Sequence, residues 1–107
     1  MTDKIVVFVT AGNSDEAAAI ARSLVEKRLA ACVNVLPGVA SWYWWEEKVT
    51  EDREVLLMIK TSRDRFDDLE KEVLRQHSYA VPEVIALPVV EGSKNYLNWI
   101  EESLKGN

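Results

Sequence analysis

The sequence predicts an α+β domain, a single antiparallel sheet with its two main helices on one face. Two runs, Ile5–Val9 (IVVFV) and Val55–Ile59 (VLLMI), are apolar throughout, as strands covered on both faces must be. Each is followed by a stretch in which apolar residues recur at helical spacing. Strand and helix signals alternate as β-α-β-β-α-β, with one more helical stretch at the end.

After the first strand, AGNSDE supplies a helix start. Asn13 with Glu16 three residues on reads as a capping box, with Ser14 as the rival cap. Ala17, Ile20, Ala21, Leu24, Val25 and Leu29 then form one apolar face, which predicts a helix to about residue 29. Ala31–Val35 returns to strand composition, Pro37-Gly38 marks a bend or bulge, and Val39–Trp45 resumes the strand. EEKVTED reads as a polar turn before Val55–Ile59. Thr61 and Ser62 are the candidate caps of a second helix whose stripe is Phe66, Leu69, Val73 and Leu74. HSYAVPE is irregular, with Val81 kept extended by Pro82. Val84–Val90 is a strand in which Pro88 cannot donate to a ladder, so it belongs at a sheet edge or a strand end. Tyr96, Leu97, Ile100 and Leu104 define the last helix.

This order is the split βαβ arrangement of ferredoxin-like folds. Right-handed crossovers put the first and third strands in the middle of the sheet, and these are the two fully apolar runs. The opposite sheet face has only the last helix to cover it, so a second copy of the chain is its expected cover.

All 107 residues fit one domain. The net charge of −5 opposes nucleic acid as a partner, since phosphate binding needs a basic surface. No apolar run approaches the ~20 residues that span a bilayer, so no membrane partner is expected. The start, MTDKIVVFVTAGNSDE, reads as a first strand rather than a leader, because acids and no small-residue cleavage site follow it. A single cysteine, Cys32, excludes an internal disulfide and fits a reducing cytoplasm. TAGNSDE lacks the Lys and the spacing of a phosphate loop, and no Ser-His-acid or Cys-His pairing is legible. No catalytic residues and no organic cofactor are predicted.

The run SWYWWEE is the most unusual stretch. In a strand, Trp42 and Trp44 share one face, while Tyr43 and Trp45 share the other. One core cannot receive both faces, and a two-stranded ribbon with aromatic groups on each side is unstable alone in water. Burial against another subunit is the expected resolution, because Trp and Tyr are favoured at such contacts. A base-stacking surface would want interleaved Lys or Arg, whereas Glu46 and Glu47 follow.

Two residues carry metal-ligating chemistry. His77, the sole histidine, suits copper or zinc. It equally suits a hydrogen-bonding role at a helix C-terminus. Cys32 offers a soft thiolate for Cu(I), but its small and β-branched neighbours also fit an inert core cysteine.

EKRLAACVNVLPGVASWYWWEEKV, EVLLMIKT and HSYAVPEVIALPVVEGSKNYLNWI resemble the CutA divalent-cation tolerance proteins over nearly the whole chain. The joint pattern A-A-C-V-N, L-P-G-V, Y-x-W-E, I-K-T and Y-x-V-P-E carries the resemblance. It implies a ferredoxin-like domain in a homotrimer whose long strands pair across subunits. It also implies a cytoplasmic, non-enzymatic protein that binds divalent metals, copper above all. Glu46, Lys60, Tyr79 and Glu83 lie inside the matching motifs; in this topology they either line one intersubunit cleft suited to a small anion or a hydrated cation, or form a buried interface network that holds the trimer. Where the family often has His-Pro-Tyr, this chain has His77-Ser78-Tyr79, and Glu47 replaces a frequent Gly. Ligand positions proposed for some members match Val9, Gln76 and His77, so only His77 keeps a ligand of that kind. Two rival readings share the fold. A trimeric PII-like signalling protein would need a large mobile effector loop. An acylphosphatase-like enzyme would need an Arg-bearing phosphate loop, which TAGNSD lacks.

Overall fold

The computed structural model describes residues 2–106. Its elements are β1 (Lys4–Ala11), α1 (Ser14–Glu26), β2 (Cys32–Trp45), β3 (Lys48–Ser62), α2 (Phe66–Gln76), β4 (Val84–Pro88) and α3 (Lys94–Lys105), with a single 3₁₀ turn at Arg63–Arg65. The sheet order is β2-β3-β1-β4 with every neighbouring pair antiparallel. The fold is therefore the ferredoxin-like α+β arrangement that the two central apolar runs predict.

Alternation sorts the sheet into two faces. Val7, Val9, Leu57 and Ile59 point one way and are fully buried against Ala17, Ile20 and Leu24 of α1 and Leu69 and Val73 of α2. On the other face stand Val6, Phe8, Leu56 and Met58, all partly exposed. Helix α3 covers one end of this second face. Lys4 reaches Glu101, and the C-terminal carbonyls of α3 accept from two arginines, Arg65 to Leu104 O at 2.9 Å and Arg28 to Ser103 O at 2.8 Å.

Several boundaries differ from the sequence reading. Helix α1 ends at Glu26 rather than near residue 29, because Arg28 adopts φ 59°. The Arg28 N–H donates to Val25 O and the Leu29 N–H to Leu24 O, a Schellman closure with Arg in the left-handed position. Asn13 does cap the helix, accepting from Glu16 N at 2.8 Å. The reciprocal half of the capping box is missing, since the Glu16 carboxylate is engaged by Ser78 instead. Neither Thr61 nor Ser62 caps a helix with its side chain, although Ser62 holds the N-cap position of the 3₁₀ turn. Thr61 lies within the end of β3 and donates to Leu29 O, and the Ser62 Oγ, on the last residue of β3, has no partner among the described residues. Leu74 is 48 % exposed and lies off the α2 core stripe.

The largest correction is the hairpin. EEKVTED is not a seven-residue turn. Only Glu46 and Glu47 turn, both with positive φ (50° and 64°), and Lys48–Asp52 continues as strand. Two such residues match the right-handed strand twist, which is why the ribbon can be long. Pro37-Gly38 forms the expected bulge, with Gly38 at φ 75° and the register shifting between Leu36 and Val39. Pro37 and Pro88 both sit on sheet edges, where a missing N–H is tolerated. The ribbon gives the chain extents of 44 × 26 × 23 Å.

Candidate functional site

β2 and β3 pair from Val39↔Glu54 out to Trp45↔Lys48, which fixes the faces of the ribbon. Tyr43 and Trp45 share the face of Asp52 and Glu54, whereas Trp42 and Trp44 share the other with Val49. In the single chain Trp42 is 67 % exposed and Trp44 73 %, while Trp45 and Tyr43 are half-covered.

Between this ribbon and the Tyr79–Glu83 loop runs a groove of about 690 Å³. The loop is held from beneath by His77, which caps α2 in extended conformation. The His77 side chain is fully buried. Its Nε2 lies 2.7 Å from Thr10 O, an acceptor, and its Nδ1 lies 3.1 Å from Tyr79 N, a donor. Those partners assign the Nε2–H tautomer and occupy both ring nitrogens. Glu16 completes the anchor, accepting from Ser78 N at 2.7 Å and Ser78 Oγ at 3.1 Å. Burial works against ionisation of Glu16, but the two hydrogen bonds from Ser78 outweigh it and hold the carboxyl below its ordinary value.

So fixed, Tyr79 projects its hydroxyl to Glu54 Oε2 at 2.8 Å. Gly12 lies directly behind this ring, where an added Cβ would come 3.3 Å from the Tyr79 hydroxyl. Burial, then the Glu54 charge, pushes the phenol far above its usual value, so Tyr79 is a hydrogen-bond donor rather than an acid. Glu54 is 8 % exposed, and Tyr79 is its sole side-chain donor among the described residues. Tyr43 donates to Asp52 one register step away. Glu83 stands at the rim, its carboxyl raised by partial burial and by Glu54.

Of the four residues expected in one cleft, the structure brings together Tyr79 and Glu83 in this groove. Glu46 is at the exposed hairpin tip. Lys60 lies on the second sheet face and donates to Asn34. Cys32 is opposite Lys60 in register, half-buried, with its Sγ 3.9 Å from Asn34 Oδ1. His77 and Cys32 do not share a site. His77 bonds Thr10 at one end of β1, while Cys32 and Lys60 lie level with Val6 near the other. Among the described residues no cluster of three His, Cys, Asp or Glu side chains is arranged to hold a metal ion.

Asp52, Glu54 and Glu16 are site residues that sequence reasoning missed. Asp52 falls in the stretch read as a polar turn, and Glu54, a charged residue just before the apolar run, is buried. The legible signal was period two, since Glu54, Leu56 and Met58 alternate with the buried Val55, Leu57 and Ile59.

No described helix is long and apolar enough to cross a membrane. The family model for the CutA1 divalent ion tolerance protein matches residues 5–103. The divalent-cation tolerance protein CutA of Thermus thermophilus is 47 % identical over 98 residues, covering 92 % of this chain and 95 % of that one. The chloroplastic CutA 1 of Oryza sativa is 48 % identical over 101 residues, 94 % of this chain but 57 % of that protein. The chain thus spans nearly all of the bacterial relative and a little over half of the plant one. Among solved structures, the Thermus thermophilus protein superposes with TM-score 0.91 at 46 % identity, covering 94 % of this chain and 97 % of that one. The periplasmic CutA of Archaeoglobus fulgidus superposes with TM-score 0.92 at 38 % identity, covering 95 % and 99 %. A match across almost every element, from β1 into α3, means that this chain belongs to the CutA1 divalent ion tolerance family.

Proposed function

We propose that this chain acts as a cytoplasmic homotrimer in the tolerance of divalent cations, copper foremost, and catalyses no reaction. The observation that carries the trimer is the ribbon. It bears four consecutive aromatic residues, and its outer pair keeps 67 % and 73 % of its surface in water. Stable monomers rarely leave such a patch uncovered. Trp42, Tyr43, Trp44 and Trp45 are then the interface residues, and the cleft gathers Glu46, Lys60, Tyr79 and Glu83 from neighbouring copies. The two-residue turn leaves no room for a mobile effector loop at this tip, so a PII-like reading gains no support there.

The family name supports a metal role, and His77 and Cys32 are the donors of the right softness. Within one chain they do not fit a metal site. Both His77 nitrogens are engaged, and Cys32 is remote from it. The metal reading therefore rests on the assembly, where symmetry multiplies each donor by three. Native mass spectrometry tests the trimer, and a stable monomer at micromolar concentration would refute it. Calorimetric titration with Cu(II), Cu(I) and Zn(II) on wild type, His77→Ala and Cys32→Ser tests the donors. Unchanged binding in both variants removes both residues as ligands.

A further inference from the structure

We propose that Lys60 of a second copy of this chain enters the groove between the ribbon and the Tyr79–Glu83 loop, where its ammonium pairs with Glu83 and Glu54. The inference deepens the trimer reading above and rests on it. Each chain then carries the two halves of the pair at separate places and gives one half to a neighbour.

The groove supplies the anionic half. Asp52, Glu54 and Glu83 line it, and no Lys or Arg does. Asp52 is engaged by Tyr43 and Glu54 by Tyr79, both neutral phenols. Burial and then the Glu54 charge raise the Glu83 carboxyl, with no cation opposing them. The groove therefore holds carboxylates in excess and lacks a counter-charge from its own chain.

The cationic half lies elsewhere. Lys60 stands on the second sheet face, level with Val6 of β1 and Cys32 of β2. Of the Lys and Arg residues that are not exposed, Lys4 and Arg65 each have a carboxylate partner, and Lys60 has none among the described residues. It donates to the Asn34 amide oxygen, which takes one of its three N–H groups. Ile85 and Leu87 stand half-exposed on the same face. A second copy that covers this face covers the ammonium too, and a buried ammonium needs an anion. The groove offers one, whereas the pocket beside Phe66 already holds both signs, Arg63 and Asp67. Charge thus selects which surface of the neighbour meets the face, and the flexible four-carbon stem of Lys60 supplies the reach.

The test is a charge swap, read by native mass spectrometry and light scattering through a dilution series at fixed low ionic strength. Lys60→Glu and Glu83→Lys are each expected to weaken subunit association about tenfold or more, since each sets like charges face to face. The combined variant Lys60→Glu/Glu83→Lys restores an opposite pair and is expected to return to within about threefold of wild type. Far-UV circular dichroism checks that each variant is folded. If Glu83→Lys does not fold, Lys60→Met and Glu83→Gln form the same cycle, and their combined loss is expected to equal that of Lys60→Met alone. Single variants that associate as wild type does, or a combined variant weakened by both losses together, overturn the proposal. Either result with a trimeric wild type removes the pairing and keeps the trimer. A wild type that is monomeric throughout removes the trimer, and the pairing with it.

Discussion

Replacing Trp42 and Trp44 by alanine isolates the surface on which assembly depends. The two rings lie on the face of the ribbon away from Glu54 and are 67 % and 73 % exposed in the single chain. A tryptophan side chain can bury roughly 200–250 Å², so each leaves about 150 Å² for a partner to cover. At about 25 cal/mol per Å², full coverage contributes about 4 kcal/mol per ring and half coverage about 2 kcal/mol. At half coverage the double substitution removes about 4 kcal/mol per subunit, or about a thousandfold in subunit dissociation. Sedimentation or light scattering through a dilution from micromolar to nanomolar protein reads this directly. The variant is expected to dissociate within that range while wild type keeps its mass. Far-UV circular dichroism of the variant monomer should stay native, because the rings pack on nothing essential in their own chain. A variant that holds an unchanged trimeric mass through the whole dilution would refute the reasoning, as would a wild type that is monomeric throughout.

Four further outcomes are expected, each compared at fixed protein concentration. Tyr79→Phe leaves the buried Glu54 without its donor and should cost about 1–3 kcal/mol in denaturant unfolding with an unchanged slope. His77→Ala removes a fully buried ring with two hydrogen bonds and should cost about 2–4 kcal/mol, with faster proteolysis at the Ser78–Glu83 loop. Leu57→Ala empties a central strand position that is 0 % exposed and should cost about 3–5 kcal/mol. Glu72 gives a pH signature. Arg75 first, then Ser23 and Lys27, hold its carboxyl far below the ordinary 4.5. A depressed folded pKa contributes stability that is complete above the unfolded value and is lost as pH falls through the folded one. Glu72→Gln should therefore melt below wild type at neutral pH, and the gap should close as pH drops below 4.5. A gap that stays constant into acid would show that the carboxylate charge is not what joins α1 to α2.

The sequence made the sheet order legible because the two apolar runs free of proline are the first and third strands, which right-handed crossovers place in the middle. Ile5–Val9 and Val55–Ile59 occupy the middle, while β2, interrupted by Pro37, and β4, ended by Pro88, take the edges. The length of the ribbon was harder to see. Lys48–Asp52 is charged and polar, and such residues signal a turn unless the cross-strand partners are known. Their partners are the aromatic residues, which bring the strand propensity that Lys48–Asp52 lacks. The site was half legible. Tyr79 and Glu83 stood out within motifs, but Glu54 and Glu16 did not, because a buried carboxylate looks like any other until its donor is located. Tyr79 is 25 residues from Glu54, and Ser78 is 62 from Glu16. Periodicity within one element cannot report contacts at that separation.

The extra residue at Pro37-Gly38 acts as a phase inverter. Before it, odd-numbered residues of β2, Val33 and Val35, face the helices opposite Ile59 and Leu57. Beyond it, odd-numbered residues, Ser41, Tyr43 and Trp45, face the other way, with Asp52 and Glu54. One strand thus serves the interior with one parity and the groove with the same parity further on. Deleting Gly38 would leave the composition of the ribbon almost untouched yet exchange its two sides. Trp42 and Trp44 would turn toward the carboxylates, and Tyr43 would lose Asp52. Which aromatic residues meet the groove and which meet the world outside is thus set by the count of residues in the chain before them.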